Sequence, residues 1–461
     1  MRINRDDDDN KATADGEIHS RARMTTARRK LLVACVAVFA VASCVRLLTW
    51  RETRAEVGKV QTTVTAGYRR DARFLLEGGI SSLFSRASPL ANPDSLGHPP
   101  GYPLLLAAVC KLFGESDAAI QLLQVCGDAL ACVLLVLVVA QVLDLKTAFV
   151  AGLLAAISPQ LAWNSVLLLP DSLAVLPVMC ALYLVARLIN RGRATTRSQV
   201  AAMFVAGALV GVSCWLRANA LLLAPFVAVF VFFLAQRERR ARLAWSLVAG
   251  ALVVVGVLTV RNAVVFRHFV PVSLGAGQTL LEGIGDYDTA MRFGIPSTDD
   301  EIMRQEANAA GRPDYDETLL GADGIIRERQ RLARGFTVIR AHPVWFASVM
   351  LRRAASMLRL ERARRVSLTT GVGLLQRLFI TAIFLPLAVC GAWLLARERR
   401  HRALCVLLCV PAYYLCFQSI VHTEYRYTLA INFSIFAFAA FALIWLADAL
   451  RRRLSRSAQQ S

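Results

Sequence analysis

Apolar residues gather in long blocks separated by short polar stretches. A helix that crosses a bilayer needs about 20 predominantly apolar residues. Ten segments have that character: 31–49, 117–141, 147–168, 172–190, 199–216, 219–235, 244–260, 375–396, 402–419 and 428–448. In lipid, only helices and closed barrels satisfy every backbone polar group. The pattern therefore predicts an all-α, polytopic integral membrane protein with about ten transmembrane helices. A polar tail (1–30) precedes the membrane domain (31–448), and a basic tail (449–461) follows it. Two long polar interruptions stand out, about 50–116 and 261–374.

Composition agrees with that division. Hydrophobic residues make up 56% of the 461-residue chain, and the formal charge is +20. Such a balance can signal nucleic-acid binding, but the arginines sit mainly in short loops between apolar blocks. The stretches 187-RLINRGRATTR-197, 237-RERRAR-242, 397-RERRHR-402 and 451-RRRLSR-456 carry four arginines each, whereas 169-LPDS-172 has none. The positive-inside rule then places both termini in the cytoplasm. Both long loops fall on the outer face of the inner (plasma) membrane, and no nucleic-acid partner is expected. The eleven cysteines lie in or beside apolar blocks, which argues against a disulfide framework or zinc site.

Two outer segments are apolar but too short to span. The first is 97-GHPPGYPLLLAAVCKLFG-114, where prolines disfavour helix before residue 101 and Gly101 permits a turn. The second is 341-AHPVWFASVMLRRAASMLRL-360. Both read as helices lying along the membrane interface, the second with its arginines on the polar face.

The candidate chemistry lies on the same outer side. Asp71 is a carboxylate fit for general-base work, or a loop residue paired with Arg69, Arg70 or Arg73. Asp171 begins an apolar span, where a charge is expensive, though Asp there is also an ordinary helix cap. Arg217 lies between two spans and either binds a lipid phosphate or snorkels to the interface. Arg261, Arg267 and His268 open the second loop, and Gly275 and Gly277 could present amides to an anion. His422, Glu424, Arg426 and Tyr427 open the last apolar block, as an interfacial belt or as the lining of an anionic head-group site. No nucleotide-phosphate loop, HExxH or GxSxG motif has supporting context.

The order of these motifs resembles the GT-C superfamily of lipid-linked-sugar glycosyltransferases, and within it glycosyltransferase family 39. That group is related to protein O-mannosyltransferases and to lipid A aminoarabinose transferases. The motifs are Asp71 with Tyr68 and Gly78-Gly79, then HPPGYPLLL, LPDS, LRANALLL, RN-xx-VF-xx-FVPVS and EYRY. The resemblance implies transfer of a sugar from a polyprenyl-phosphate donor to an acceptor on the outer face, the acceptor being a lipid, glycan or protein. It implies Asp71 as the base and Asp171 as the second acidic position. Tyr68, His98, Arg217, Arg261, His268, Arg426 and Tyr427 would then bind substrate. The family's acidic residue commonly precedes the tyrosine, near Thr65 here, so Glu56 is an alternative base. No cofactor is required; a divalent metal is compatible with this chemistry, but nothing in the sequence calls for it. From composition alone, a transporter or flippase for a lipid-linked or anionic substrate is the alternative.

Overall fold

The computed structural model describes residues 5–58, 60–190, 195–358 and 382–460. Every regular element among them is helical. After α1 (Arg5–Val57), the first long loop holds α2 (Thr62–Gly78) and α3 (Gly101–Phe113). Next come α4 (Asp117–Val142), α5 (Leu145–Ala156), α6 (Pro159–Val166), α7 (Asp171–Asn190), α8 (Thr196–Leu216), α9 (Leu223–Leu234) and α10 (Arg240–Phe266). The second long loop holds α11 (Ala276–Gly285), α12 (Asp299–Ala310), α13 (Gly324–Ala341) and α14 (Pro343–Met357). The chain closes with α15 (Leu385–Arg397), α16 (His401–Phe417) and α17 (Leu429–Gln460).

Seven helices are long and apolar enough to cross a membrane, and an eighth span is formed if α5 and α6 count together. The chain is therefore a multi-pass membrane protein. The count falls below ten for two visible reasons. Residues 219–235 form a short turn followed by α9, whose 12 residues reach only about 18 Å. Residues 375–381 of another expected span, and 359–374 of the second loop, lie outside the described residues.

The expected span 147–168 is broken. α5 and α6 meet at a bend of 53°. Pro159 starts α6 and Ser158 caps it, accepting from the Leu161 amide. The break frees carbonyls at the end of α5, which lipid cannot satisfy. Arg46 of α1 donates to the carbonyls of Ala155 and Ala156, and its Nε donates to Asp128 of α4 at 2.6 Å. Both ionic side chains are fully buried. The break is thus closed by a charge-compensated strut.

Small residues set the tightest contact in the bundle. A Cβ on Gly207 of α8 would collide with the Leu247 carbonyl of α10, and one on Gly250 of α10 with the Phe204 carbonyl of α8. Backbones that approach this closely need glycine, as in membrane helix pairs generally.

Both long loops pack on each other at one end of the bundle. The Leu274 amide donates to the Leu96 carbonyl at 2.7 Å, and the Gly321 amide to Asp94 at 2.7 Å. Short connections join them there: Asn219 donates to the Tyr427 carbonyl, and Arg353 to the carbonyls of Ser419 and Gly283. Arg353 is therefore buried, not on the polar face expected for 341–360, whereas its neighbour Arg352 is exposed. The loop end holds the candidate site.

Candidate active site

The site is built where α2, the turn before α3, and the starts of α7 and α17 meet. α2 turns Tyr68, Ala72 and Leu75 inward. These positions recur at three- and four-residue spacing, as one face of a helix requires. Tyr68 packs against His98, with ring centroids 4.8 Å apart, and edge-on against Tyr102 at 5.0 Å. His98 is held in place by the turn that follows it. A Cβ on Gly101 would overlap the Trp215 backbone. The Pro-Pro-Gly turn therefore lies directly on the end of α8, two residues before Arg217.

Asp171 is positioned through carbonyls. The side chain of Gln124 on α4 donates to the Leu167 and Leu169 carbonyls, and that of Gln121 donates to Val166. The segment 166–170 is thereby fixed, and Asp171 enters α7 buried. It does not act as a cap, because neither carboxylate oxygen completes a hydrogen bond. Instead Arg217 Nε lies 3.2 Å from Oδ1 as an ion pair. The same guanidinium stacks on the Tyr427 ring, 4.1 Å from its centroid. Arg426, also buried, pairs with Glu424 at 2.8 Å.

The electrostatics follow from this packing. Burial opposes charge on Arg217, but Asp171 and Tyr427 outweigh it and keep the guanidinium firmly protonated. Burial, with the nearby Arg217 and Arg426 charges, lowers His98 to about 3. His98 is therefore a neutral imidazole beside two cations. Burial likewise raises the Tyr68 phenol to about 12.

Six of the nine residues to which the family resemblance gives a role thus share one cluster: Tyr68, His98, Asp171, Arg217, Arg426 and Tyr427. Asp71 adjoins it, one turn after Tyr68 on α2. Its Oδ1 accepts from Ser95 at 3.3 Å and pairs with Arg70 at 3.0 Å. Burial raises its pKa in spite of Arg70. The other candidate base, Glu56, belongs to α1 and is exposed.

Two residues behave differently. Arg261 donates through Nε to the Leu83 carbonyl, through Nη2 to Leu90 and through Nη1 to Asn262. It is a strut between α10 and the first loop, with each of its three nitrogens already donating one hydrogen bond. His268 is partly exposed beyond the end of α10 and makes no hydrogen bond or ion pair among the described residues. The glycine pair in the second loop does bind an anion, but one from the chain itself. Glu328 of α13 accepts from the amides of Gly275, Gly277 and Gln278 at the start of α11. Among the described residues, no group of three His, Cys, Asp or Glu side chains is placed to hold a metal.

Eight buried side-chain atoms lack a hydrogen-bond partner among the described residues. They are Tyr68 Oη, Asp171 Oδ1 and Oδ2, Ser172 Oγ, Arg426 Nε and Nη1, Gln160 Oε1 and Asn164 Oδ1, of which Asp171 Oδ1 and Arg426 Nε are held in ion pairs with Arg217 and Glu424. Buried polar groups are ordinarily satisfied, so their confinement to α2, α6, the start of α7 and the approach to α17 marks a place prepared for a ligand. Gln160, Asn164 and Ser172 were not singled out in the sequence. The signal was there for two of them: amides inside a segment read as membrane-spanning are costly and rarely idle.

Residues 97–262 match the family model described as dolichyl-phosphate-mannose-protein mannosyltransferase. No curated protein matches the sequence. Among solved structures, the apo oligosaccharyltransferase of Archaeoglobus fulgidus superposes with a TM-score of 0.54 at 16% identity, over 93% of this chain and 52% of that one. The same protein tethered to an acceptor peptide gives 0.55 at 16% identity, over 92% of this chain and 50% of that one. The archaeal oligosaccharyltransferase AglB from Archaeoglobus fulgidus, in complex with an inhibitory peptide and a dolichol-phosphate, gives 0.52 at 15%, over 93% and 52%. This chain spans about half the length of these proteins and shares the fold of that half. The resemblance to the GT-C superfamily read from the ordered motifs agrees with both the family match and the fold.

Proposed function

We propose that the chain is a glycosyltransferase that takes a sugar from a polyprenyl-phosphate donor and passes it to an acceptor hydroxyl at the outer face of the plasma membrane. Both termini then lie in the cytoplasm, and the loop end faces outward. The observation that carries this reading is the convergence of Arg217, Arg426, Tyr68 and His98 beside Asp171, with Arg426 Nη1 and the Tyr68 hydroxyl lacking a hydrogen-bond partner among the described residues. A phosphate accepts hydrogen bonds from guanidinium and phenol groups, and arginine matches its geometry. The solved neighbour that holds a dolichol-phosphate, and the family match, point to the same donor class.

The chemistry divides among these residues. A glycosyl phosphate is already activated, so the protein needs cations for the departing phosphate and a base for the acceptor. The acceptor oxygen forms a bond to the anomeric carbon as the bond from that carbon to the phosphate oxygen breaks. The electron pair leaves with the phosphate, beside Arg217 and Arg426. The acceptor proton passes to Asp71, whose raised pKa makes it a better base than an ordinary exposed aspartate. Attack opposite the departing phosphate inverts the anomeric centre. Asp171 anchors Arg217.

One observation speaks for the transporter alternative: the broken span at α5–α6 with the buried Arg46–Asp128 pair beside it. Those groups bond to each other and to carbonyls, however, while six of the eight unsatisfied atoms lie at the loop end, on α2, the start of α7 and the approach to α17. Purified protein given an undecaprenyl-phosphate sugar and an acceptor should release undecaprenyl phosphate with stoichiometric glycosylation. Asp71→Asn should abolish release without impairing folding. Full transfer by that variant removes Asp71 as base. Protein-dependent flipping of the lipid without any transfer would favour the alternative.

A further inference from the structure

The two oxygens of Asp71 are not equivalent. Ser95 Oγ donates to Oδ1 at 3.3 Å, and Arg70 Nε donates to the same atom at 3.1 Å. Oδ2 makes no hydrogen bond among the described residues. The two partners differ as well. Arg70 is the next residue back on α2, and its side chain is half exposed, so its hold is weak. Ser95 is part-buried and comes from a separate segment of the first long loop.

That segment is a tight turn, Pro93–Leu96, and the second long loop grips it on both sides of Ser95. Before Ser95, the Asp94 carboxylate accepts from the Gly321 amide at 2.7 Å. After it, the Leu96 carbonyl accepts from the Leu274 amide at 2.7 Å, and the Leu96 side chain is buried with Val270 and Ile325. The turn is also braced from within. Asn92 accepts from the Asp94 amide through Oδ1 and from the Ser95 amide through its carbonyl, each at 3.0 Å. The gripping loop is fixed in turn. Gly321 has a φ of 59°, which glycine adopts without strain. The carbonyls just before it are pinned, Thr318 by Arg327 and Leu319 by Arg331, and both guanidiniums pair with Glu306 at 2.7 Å. A hydroxyl held by such a frame has few other positions open to it.

We propose that Ser95 is a positioning residue: the second long loop, acting through Asp94 and Leu96, holds the Ser95 hydroxyl on Asp71 Oδ1 and so leaves Oδ2 as the oxygen that takes the acceptor proton. This rests on the glycosyltransferase reading with Asp71 as base. A carboxylate free to rotate presents either oxygen in many directions. One pinned at Oδ1 presents Oδ2 in a single direction, and a base works only when it is aimed at the proton it removes. The aim of Asp71 therefore depends on Gly321, which lies 227 positions after Asp94 in the chain.

Full-length protein in nanodiscs gives two readouts. An apolar carbodiimide modifies protonated carboxyl groups, so the pH of half-maximal labelling at Asp71, read by mass spectrometry, follows its titration without any acceptor. The second readout is release of undecaprenyl phosphate from undecaprenyl phosphoryl mannose, with water as acceptor. Ser95→Ala removes a donor to the charged carboxylate, so the labelling midpoint should move to higher pH. The other charged groups facing Asp71, Arg70 on α2 and Arg261 on α10, are unaltered. Release at the alkaline plateau should fall about tenfold, although a stronger base alone would raise it. Binding of undecaprenyl phosphate should stay within about twofold. Ser95→Thr keeps the hydroxyl and should restore both midpoint and plateau. Asp94→Ala frees the turn from Gly321; it should shift the midpoint in the same direction, and it serves if Ser95→Ala does not fold. The inference is overturned if the midpoint stays in place or moves to lower pH, as it would if Asp71 merely became more exposed, or if the plateau is unchanged. Wild-type protein that releases nothing, or Asp71→Asn that releases as much as the wild type, would instead count against the reading of Asp71 as a transferase base, and the labelling alone then decides whether the loop holds Ser95 on Asp71.

Discussion

The buried Arg46–Asp128 pair makes the sharpest prediction about the scaffold. Asp128→Asn preserves shape and removes only the charge. Arg46 would stay in the bundle interior with its guanidinium facing the carbonyls of Ala42, Ala155 and Ala156 and the Cys132 sulfur. Carbonyl dipoles do not replace a full counter-charge. Removing one member of a buried pair typically costs about 3–5 kcal/mol, and the complete burial of both side chains places this case toward the upper end. A double variant, Arg46→Met with Asp128→Leu, removes the stranded charge but leaves the Ala156 carbonyl uncapped, whereas Ala155 keeps the Ser158 amide. An unsatisfied carbonyl costs about 1–3 kcal/mol, so the double variant should recover only part of the loss. Unfolding in mixed micelles with increasing SDS measures all three proteins. The strut argument is refuted if Asp128→Asn unfolds within about 0.5 kcal/mol of the wild type. It is also refuted if the double variant, which strands no charge, is no more stable than Asp128→Asn.

Three further outcomes follow from the loop end. Arg261→Met should lower thermal stability by opening the contact with Leu83 and Leu90, yet the protein that remains folded should bind undecaprenyl phosphate normally; a specific loss of binding would return Arg261 to the site. Gly101→Val forces a side chain into the Trp215 backbone and displaces His98 and Tyr68, so turnover should drop at least about tenfold with helical content unchanged in circular dichroism. Burial raises Glu282 to about 7, and Asp286, 2.7 Å away, raises His422 despite burial. Both groups bind protons more tightly folded than unfolded. The stability they lend is full below the ordinary values of 4.5 and 6.5 and is lost as pH rises through their folded values. Corrected amide exchange in α11 should therefore be faster at pH 8 than at pH 6, and equal protection at both would contradict it.

How much was legible in the sequence depends on what kind of signal each feature leaves. Apolar blocks announce helices because lipid forbids other backbone arrangements, so the all-α class was readable. The break at Ser158–Pro159 was not, since hydropathy averages over it and the compensating Arg46 lies 110 positions from Ala156. Arginines on the face that usually lacks them pointed to Arg217 and Arg426, and both reached the cluster. The same reasoning applied to Arg261 placed a strut among the ligands. What separates the two cases is whether nearby carbonyls use the guanidinium donors, a fact of tertiary packing. Gly275 and Gly277 teach the same lesson. The amide nest was legible, but the carboxylate that fills it comes from Glu328, about fifty residues later.

The distinction between used and unused groups also assigns Asp171. It is buried, holds Arg217 at 3.2 Å, and accepts no hydrogen bond. A general base there would have to give up its counter-ion at the moment of proton transfer, whereas Asp71 has Ser95 and an exposed Arg70 as partners. Asp171→Asn should therefore separate binding from turnover. Loss of one negative charge within about 6 Å of a bound phosphate removes roughly 2–3 kcal/mol of repulsion at an effective dielectric of about 20. Freed movement of Arg217 offsets part of that, so affinity for undecaprenyl phosphate should rise several-fold. Turnover should fall, because Arg217 is no longer aligned with the departing oxygen. Its pH dependence below neutrality should keep the wild-type shape, since Asp71 still titrates as the base. A variant that binds the phosphate more weakly, or loses that pH dependence, would make Asp171 the base and Asp71 its neighbour.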